Sequence, residues 1–126
     1  MTAAYLYLNA ALYVVFAIWM TLSPWRTATA MGFEQLTASG RSEYLVIYGG
    51  LQFGLAAFFG IAAASTSMHR TGVLFAVCLY APIVLYRVVT VWRFWPVKGL
   101  TLTVAALEIG LLLVALVLFR RHYHGP

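Results

Sequence analysis

"LTLTVAALEIGLLLVALVLF", residues 100–119, carries a single charged side chain, Glu108, in an otherwise apolar or hydroxyl-bearing run. At 1.5 Å rise per residue a helix of about 20 residues spans roughly 30 Å, the thickness of a bilayer's hydrocarbon core. The run therefore predicts a transmembrane helix. An ionised side chain at the centre of such a helix costs at least about 2.5–3.5 kcal/mol even on the mildest scale, so it faces protein or water and finds a partner. The same stretch thus supplies both a fold class and a first candidate for a site.

The rest of the chain agrees with this reading. Of 126 residues, 63% are hydrophobic and 9% charged, and the mean hydropathy is +0.90, which argues against a water-soluble domain. Three more apolar runs, about 3–22, 43–64 and 71–91, are long enough to cross a membrane. Four spans occupy most of the chain, so the expectation is one all-α domain over 1–126. It is an integral membrane four-helix bundle with both termini on the same side. The connection STSMHR, residues 65–70, falls on that side, while loop 23–42 and the turn WRFWPVKG, residues 92–99, fall on the other. The N-terminal run lacks a basic n-region and an A-x-A-like cleavage site, so it reads as a retained first span.

Trp25, Trp92 and Trp95 lie near span ends, where amphipathic rings favour the headgroup layer. Arg70, Arg120 and Arg121 on the terminal side stand against Arg26, Arg41, Arg93 and Lys98 on the other, a balance that does not set the orientation. The RRH tail at 120–122 favours cytoplasmic termini. The net charge of +5 is scattered among loops rather than lining one face, which points to anionic lipid headgroups and away from nucleic acid. The single Cys78 has no partner for an intrachain disulfide and is expected to pack in the core.

Loop 23–42 is too polar to span. It reads either as a short amphipathic lid through Phe33 and Leu36 on the bilayer surface or, more simply, as a connector with interfacial anchors. Ser42 is the expected N-cap of the second helix, with Glu43 in its first turn favoured by the helix dipole. Gly50 and Gly54 have the small-xxx-small spacing that lets transmembrane backbones approach. Pro82 removes a backbone donor inside the third span and predicts a kink there.

Depth singles out a polar constellation. Glu108 lies eight residues past Leu100, about 12 Å below the surface at that end. Arg87 precedes Trp92 by five residues, about 8 Å down from the same surface, and its long side chain reaches further. Gln52, nine residues past Glu43, is about 13 Å deep from that side as well. Helical spacing places Tyr44, Tyr48 and Gln52 on one stripe, Tyr80 and Arg87 on a second, and Thr101, Ala105, Glu108 and Leu112 on a third. These stripes are expected to point into the bundle, with an Arg87–Glu108 ion pair.

Two readings of this cluster stand side by side. In one it is polar glue that holds helix register. In the other, Arg87, Glu108, Gln52, Tyr48, Tyr44, Glu43 and Tyr80 line a pocket for the polar head of a lipid-like or quinone-like molecule. An Arg beside a Glu suits a neutral or zwitterionic group better than a strong anion. No catalytic triad, phosphate-cradling glycine loop, H-E-x-x-H or C-x-x-C pattern is present, so no cofactor is indicated and an enzyme is not the favoured reading. His122 and His124 read as a solvated tail rather than a metal site, and His69 as an interfacial residue.

Glu43 followed by YGG at 48–50, an Arg near the end of the third span (LYRVV, 85–89) and a Glu within the fourth (ALEIG, 106–110) together resemble a family of small bacterial four-span membrane proteins. That family is a domain of unknown function, similar in outline to DoxX-like proteins, and the resemblance covers about residues 5–119. It implies a four-helix bundle in a bacterial inner membrane and association with membrane redox systems. One departure is Leu45, where family members often carry a basic residue, so no ion pair at that mouth carries over.

Three functional classes follow. The first is a ligand-binding membrane protein. The second is an accessory subunit of a larger membrane complex. The third is a proton-coupled transporter working as a homodimer, similar in size and span number to small multidrug-resistance proteins, although those place their key Glu in the first span.

Overall fold

A computed structural model describes residues 1–97 and 99–124. Lys98, counted above among the basic residues, and the His124 side chain, considered above as a metal contact, lie outside the described part. The fold is all-α, with no strand among the described residues. Helix α1 spans Thr2–Leu22, α2 is the short Pro24–Met31, and α3 (Ala38–Leu45) runs through a π-helical segment, Val46–Gly50, into α4 (Leu51–Ala64). A single 3-10 turn, Thr66–Met68, leads into α5 (His69–Arg93), and α6 covers Gly99–His124.

Four helical stretches among the described residues are long and apolar enough to cross a membrane: Thr2–Leu22, Ala38–Ala64, Thr66–Arg93 and Gly99–Tyr123. In each, no more than 28% of the most apolar stretch is buried within the bundle. Val15, Ile61, Leu85 and Leu113 instead present bare apolar surface outward. In water such a surface would drive association; in a bilayer it meets acyl chains at no cost. The chain is an integral membrane protein.

The helices run up, down, up and down. The Thr2 hydroxyl meets the His122 ring at 3.1 Å, and the Arg70 guanidinium lies 3.8 Å from the centre of the Tyr123 ring. Both termini and the 65–70 connection therefore share one end, as expected. His69, read above as interfacial, bonds the Ala63 carbonyl at 3.1 Å at that same end.

Helix α1 packs along α4 and the π segment, while α5 packs along α6. The two pairs close tightly only in the terminal half. There Leu6, Phe59, Ala62, Val73, Ala76 and Ala115 are fully or nearly fully buried in one core. Small side chains bring the backbones together at Gly72, where an added Cβ would lie 3.0 Å from Ala62 Cβ and 3.0 Å from Leu6 Cδ2. Neither neighbour can give way, because one is fixed to its backbone and the other is fully buried.

Gly50 and Gly54 do not play the packing role that their spacing suggests. Both are exposed, and a Cβ on either meets nothing within 4 Å. The close approach of this helix to α1 is at the neighbouring Gly49, whose Cβ would sit 2.8 Å from Thr21 Oγ1. Gly72→Ala is therefore expected to destabilise by about 1–3 kcal/mol through overpacking. Gly54→Ala, in open space, should stabilise by up to about 1 kcal/mol through helix propensity. Denaturant titration of the two variants in mixed micelles checks the opposite signs.

Three further expectations need correction. Cys78 is exposed rather than in the core. Pro82, expected to serve helix packing, is exposed within α5, which continues as helix on both sides of it. The second membrane helix begins before Ser42: its N-cap is Thr37, whose hydroxyl accepts from the Gly40 amide at 3.1 Å.

Candidate functional site: a polar pair in an apolar cavity

Where the terminal half is closed, the opposite half is hollow. A cavity of about 450 Å³ lies among α1, α4, α5 and α6. Its wall is mostly hydrocarbon and aromatic, from Leu12, Phe16, Leu55, Ile83 and Leu107 among others. Arg87, Glu108, Gln52, Tyr48 and Tyr80 also line it, so three helices bring these five predicted residues to one space.

The Arg87 side chain crosses from α5 to α6 and grips Glu108 with two parallel bonds. Nε donates to Oε2 at 2.9 Å and Nη2 donates to Oε1 at 2.8 Å. This fork-on-fork arrangement is the strong, directional form of an ion pair. The guanidinium has five N–H donors, and two are used here. The side chains remain 31% and 14% exposed, which leaves the pair accessible from the cavity. Gln52 and the Tyr48 hydroxyl have no hydrogen-bonding partner among the described residues and add donors and acceptors to the wall. The arrangement is neutral overall but strongly dipolar.

Tyr44 and Glu43 stand apart from this space. Glu43 is exposed on the outer side. Tyr44 is buried but turns toward α2, where its hydroxyl donates to Thr27 Oγ1 at 2.8 Å, while its ring stacks on Tyr48 at 4.6 Å between centroids. The wide π turn Val46–Gly50 lies between Tyr44, which faces α2, and Gln52 and Leu55, which face the cavity, while Tyr48 within the turn touches both.

Loop 23–42 is more than a connector. Pro24 starts α2 at its first position, where a missing N–H costs nothing, and Gly32 ends it at φ +99°, a left-handed cap that glycine adopts without strain. Thr27 and Ala28 are buried, and Ala28 packs with Met20 and Tyr44 in a second small core. Met31 and Phe33 then form part of the cavity wall. The segment is a docked cover. Tyr44→Phe removes its main polar tie while Thr27 keeps its bond to the Ser23 carbonyl, so a loss of about 0.5–1.5 kcal/mol is expected. Hydrogen exchange should quicken for the amides of α2 and stay unchanged in α5 and α6.

Residues that the sequence reading passed over complete the site. Asn9 is fully buried; its Nδ2 donates to the Tyr5 carbonyl at 2.8 Å and its Oδ1 accepts from the Tyr80 hydroxyl at 2.6 Å. The Tyr5 hydroxyl reaches the Leu111 carbonyl of α6 at 3.0 Å. These bonds tie α1 to α5 and α6 at the inner end of the cavity. Tyr13, which stacks on Phe59 at 5.8 Å, also lines the wall. The signal was present: Tyr5, Asn9 and Tyr13 follow the same i, i+4, i+8 spacing as Tyr44, Tyr48 and Gln52.

No group of three or more His, Cys, Asp or Glu side chains gathers among the described residues. Compared with protein-family models, with curated proteins and with solved structures, the chain has no match.

Proposed function

We propose that this protein binds a lipid-like or quinone-like amphiphile within the membrane, with the polar head against the Arg87–Glu108 pair and the apolar part against the aromatic wall. The observation that carries this reading is a cavity of about 450 Å³ whose apolar lining surrounds one accessible, neutral ion pair. Binding pockets for small molecules combine this size with a mainly apolar wall and a few convergent polar groups. A pair that is already neutralised repels strong anions less by charge than by the cost of stripping their water. It rewards a head that accepts from the spare guanidinium N–H groups. The resemblance of the Glu43, YGG, Arg87 and Glu108 pattern to small bacterial four-span proteins, similar in outline to DoxX-like proteins, motivates placing the chain in a bacterial inner membrane near redox systems.

The test is native mass spectrometry of the protein extracted under mild conditions, followed by binding of candidate amphiphiles to Glu108→Ala. A co-extracted small molecule, with affinity reduced at least about tenfold in the variant, is the expected result. An empty protein whose Glu108→Ala form binds every candidate as the parent does would overturn the proposal.

A second reading, a subunit of a larger membrane assembly or a homodimer, is favoured by the outward position of Gly50 and Gly54. These two bare positions one turn apart offer a close approach to a helix of another chain. A protein that migrates as a monomer under the gentlest solubilisation would remove it.

A further inference from the structure

Arg87 borders two hollows at once. Inside is the cavity; outside, on the flank of α5 and α6, is a groove of about 590 Å³ lined by Val88, Trp92, Trp95, Leu102 and Ile109 along with Arg87. Arg87 is common to both linings. The outer flank faces acyl chains, with Val88 57% and Leu102 40% exposed. Among the described residues, the only hydrogen bonds between α5 and α6 side chains are the two of the Arg87–Glu108 pair. Ala105, also on the groove wall, is buried, so beside the pair the seam is closed by a methyl group and not by a bulky side chain.

We infer that the α5–α6 seam is a lateral binding site for a single-chain amphiphile with a neutral or zwitterionic head. The head sits in the cavity on the Arg87–Glu108 pair, and the apolar chain passes beside Arg87 into the outer groove. This inference rests on the binding function proposed above and adds the class of ligand and its path.

The chemistry of the two spaces divides the ligand in this way. A cavity of about 450 Å³ accommodates a head and a short piece of chain. A longer chain has to leave, and the groove adjoins the cavity at Arg87 and runs from Ile109 toward Trp92 near the membrane surface. The groove cannot select a ligand by itself, because lipid tails are as apolar as its leucine and valine walls. Recognition must come from the head, so binding in the groove depends on a pair on the far side of the seam. A lipid merely lying against the protein shows no such dependence.

The tryptophans make this measurable. Trp19 lines the cavity, Trp92 and Trp95 line the groove, and Trp25 lines neither. All four are at least 44% exposed, so three at a time can be changed to Phe without opening the core. The probe is lysophosphatidylcholine with a brominated acyl chain, titrated into single-Trp proteins held in phosphatidylcholine nanodiscs. Trp92 is expected to be quenched at about tenfold lower probe concentration than Trp25. That advantage should vanish in the doubly substituted Arg87→Gln, Glu108→Gln protein, which leaves no charge unpaired.

Val88→Phe, at an exposed position on the groove wall, narrows the outlet and keeps the pair, and should remove the advantage at Trp92 while Trp19 still reports binding. It serves equally if the double variant does not fold. Tight quenching at Trp19 with Trp92 at the level of Trp25 would overturn the seam and leave the cavity reading standing. Tight quenching at Trp92 that ignores both substitutions would also overturn it, marking an ordinary boundary lipid. Quenching of Trp19 and Trp92 no stronger than that of Trp25 would overturn the seam and the binding function together.

Discussion

Replacing Glu108 by Leu is expected to destabilise the protein by about 2.5–3.5 kcal/mol, the cost of leaving an unpaired charge at membrane depth. The volume change is small, so the loss comes from Arg87. Its guanidinium loses both bonds to the carboxylate, at 2.9 and 2.8 Å, and cannot shed its proton. Arg87→Leu is expected to cost a similar amount by stranding the carboxylate instead. The double variant, with no charge left inside, should recover most of the loss, because an apolar pair of similar volume replaces a buried ion pair at little or no cost. The quantity that decides is the coupling energy from a double-mutant cycle of unfolding in mixed micelles. Additive losses would mean that the pair is not coupled in the folded protein. Ligand retention should follow a different rule: both single variants and the double variant lose the head-binding pair, so restored stability without restored binding separates the structural role from the functional one.

Much of this site was legible because helix rise is constant. Counting 1.5 Å per residue from a loop places Arg87, Glu108 and Gln52 at one depth, and in the structure they line one cavity. Direction around the helix was less secure. The stripe through Tyr44, Tyr48 and Gln52 assumed regular α-helical spacing, whereas the helix widens through the π turn Val46–Gly50; Tyr44 meets α2 and Glu43 lies outside. Cys78 shows a more general limit. In water an apolar neighbourhood marks the inside, but in a bilayer the outside is just as apolar, so hydrophobicity alone cannot assign a face. The glycines carry the same lesson: spacing marks Gly50 and Gly54 as able to pack, yet the close contacts fall on Gly49 and on the isolated Gly72, where a neighbouring helix happens to cross. Side-chain polarity is the signal that survives, since a buried amide or charge must be satisfied wherever it lies.

That rule makes Asn9 the second sensitive position. Asn9→Leu is expected to cost about 1–3 kcal/mol, because it removes the acceptor that the buried Tyr80 hydroxyl meets at 2.6 Å. The Tyr5 carbonyl that Asn9 also meets belongs to the helix ladder, so its loss weighs less. Tyr80→Phe alone removes the donor and leaves Asn9 Oδ1 unpaired in a site with 0% exposure, a loss of the same order. Making both changes removes donor and acceptor together, and the double variant should be more stable than the sum of the single losses predicts. The functional consequence differs from that at Glu108. Tyr80 belongs to the cavity wall, and its bond to Asn9 holds that wall where the closed half of the bundle meets the hollow half. Freeing its ring should loosen the inner end of the cavity without touching the Arg87–Glu108 pair. Asn9→Leu is thus expected to shorten the residence time of a bound amphiphile while preserving its preference for a neutral or zwitterionic head. Dissociation kinetics from the single and double variants measure this directly, and a changed head preference with unchanged dissociation would assign Asn9 to recognition instead of to the wall.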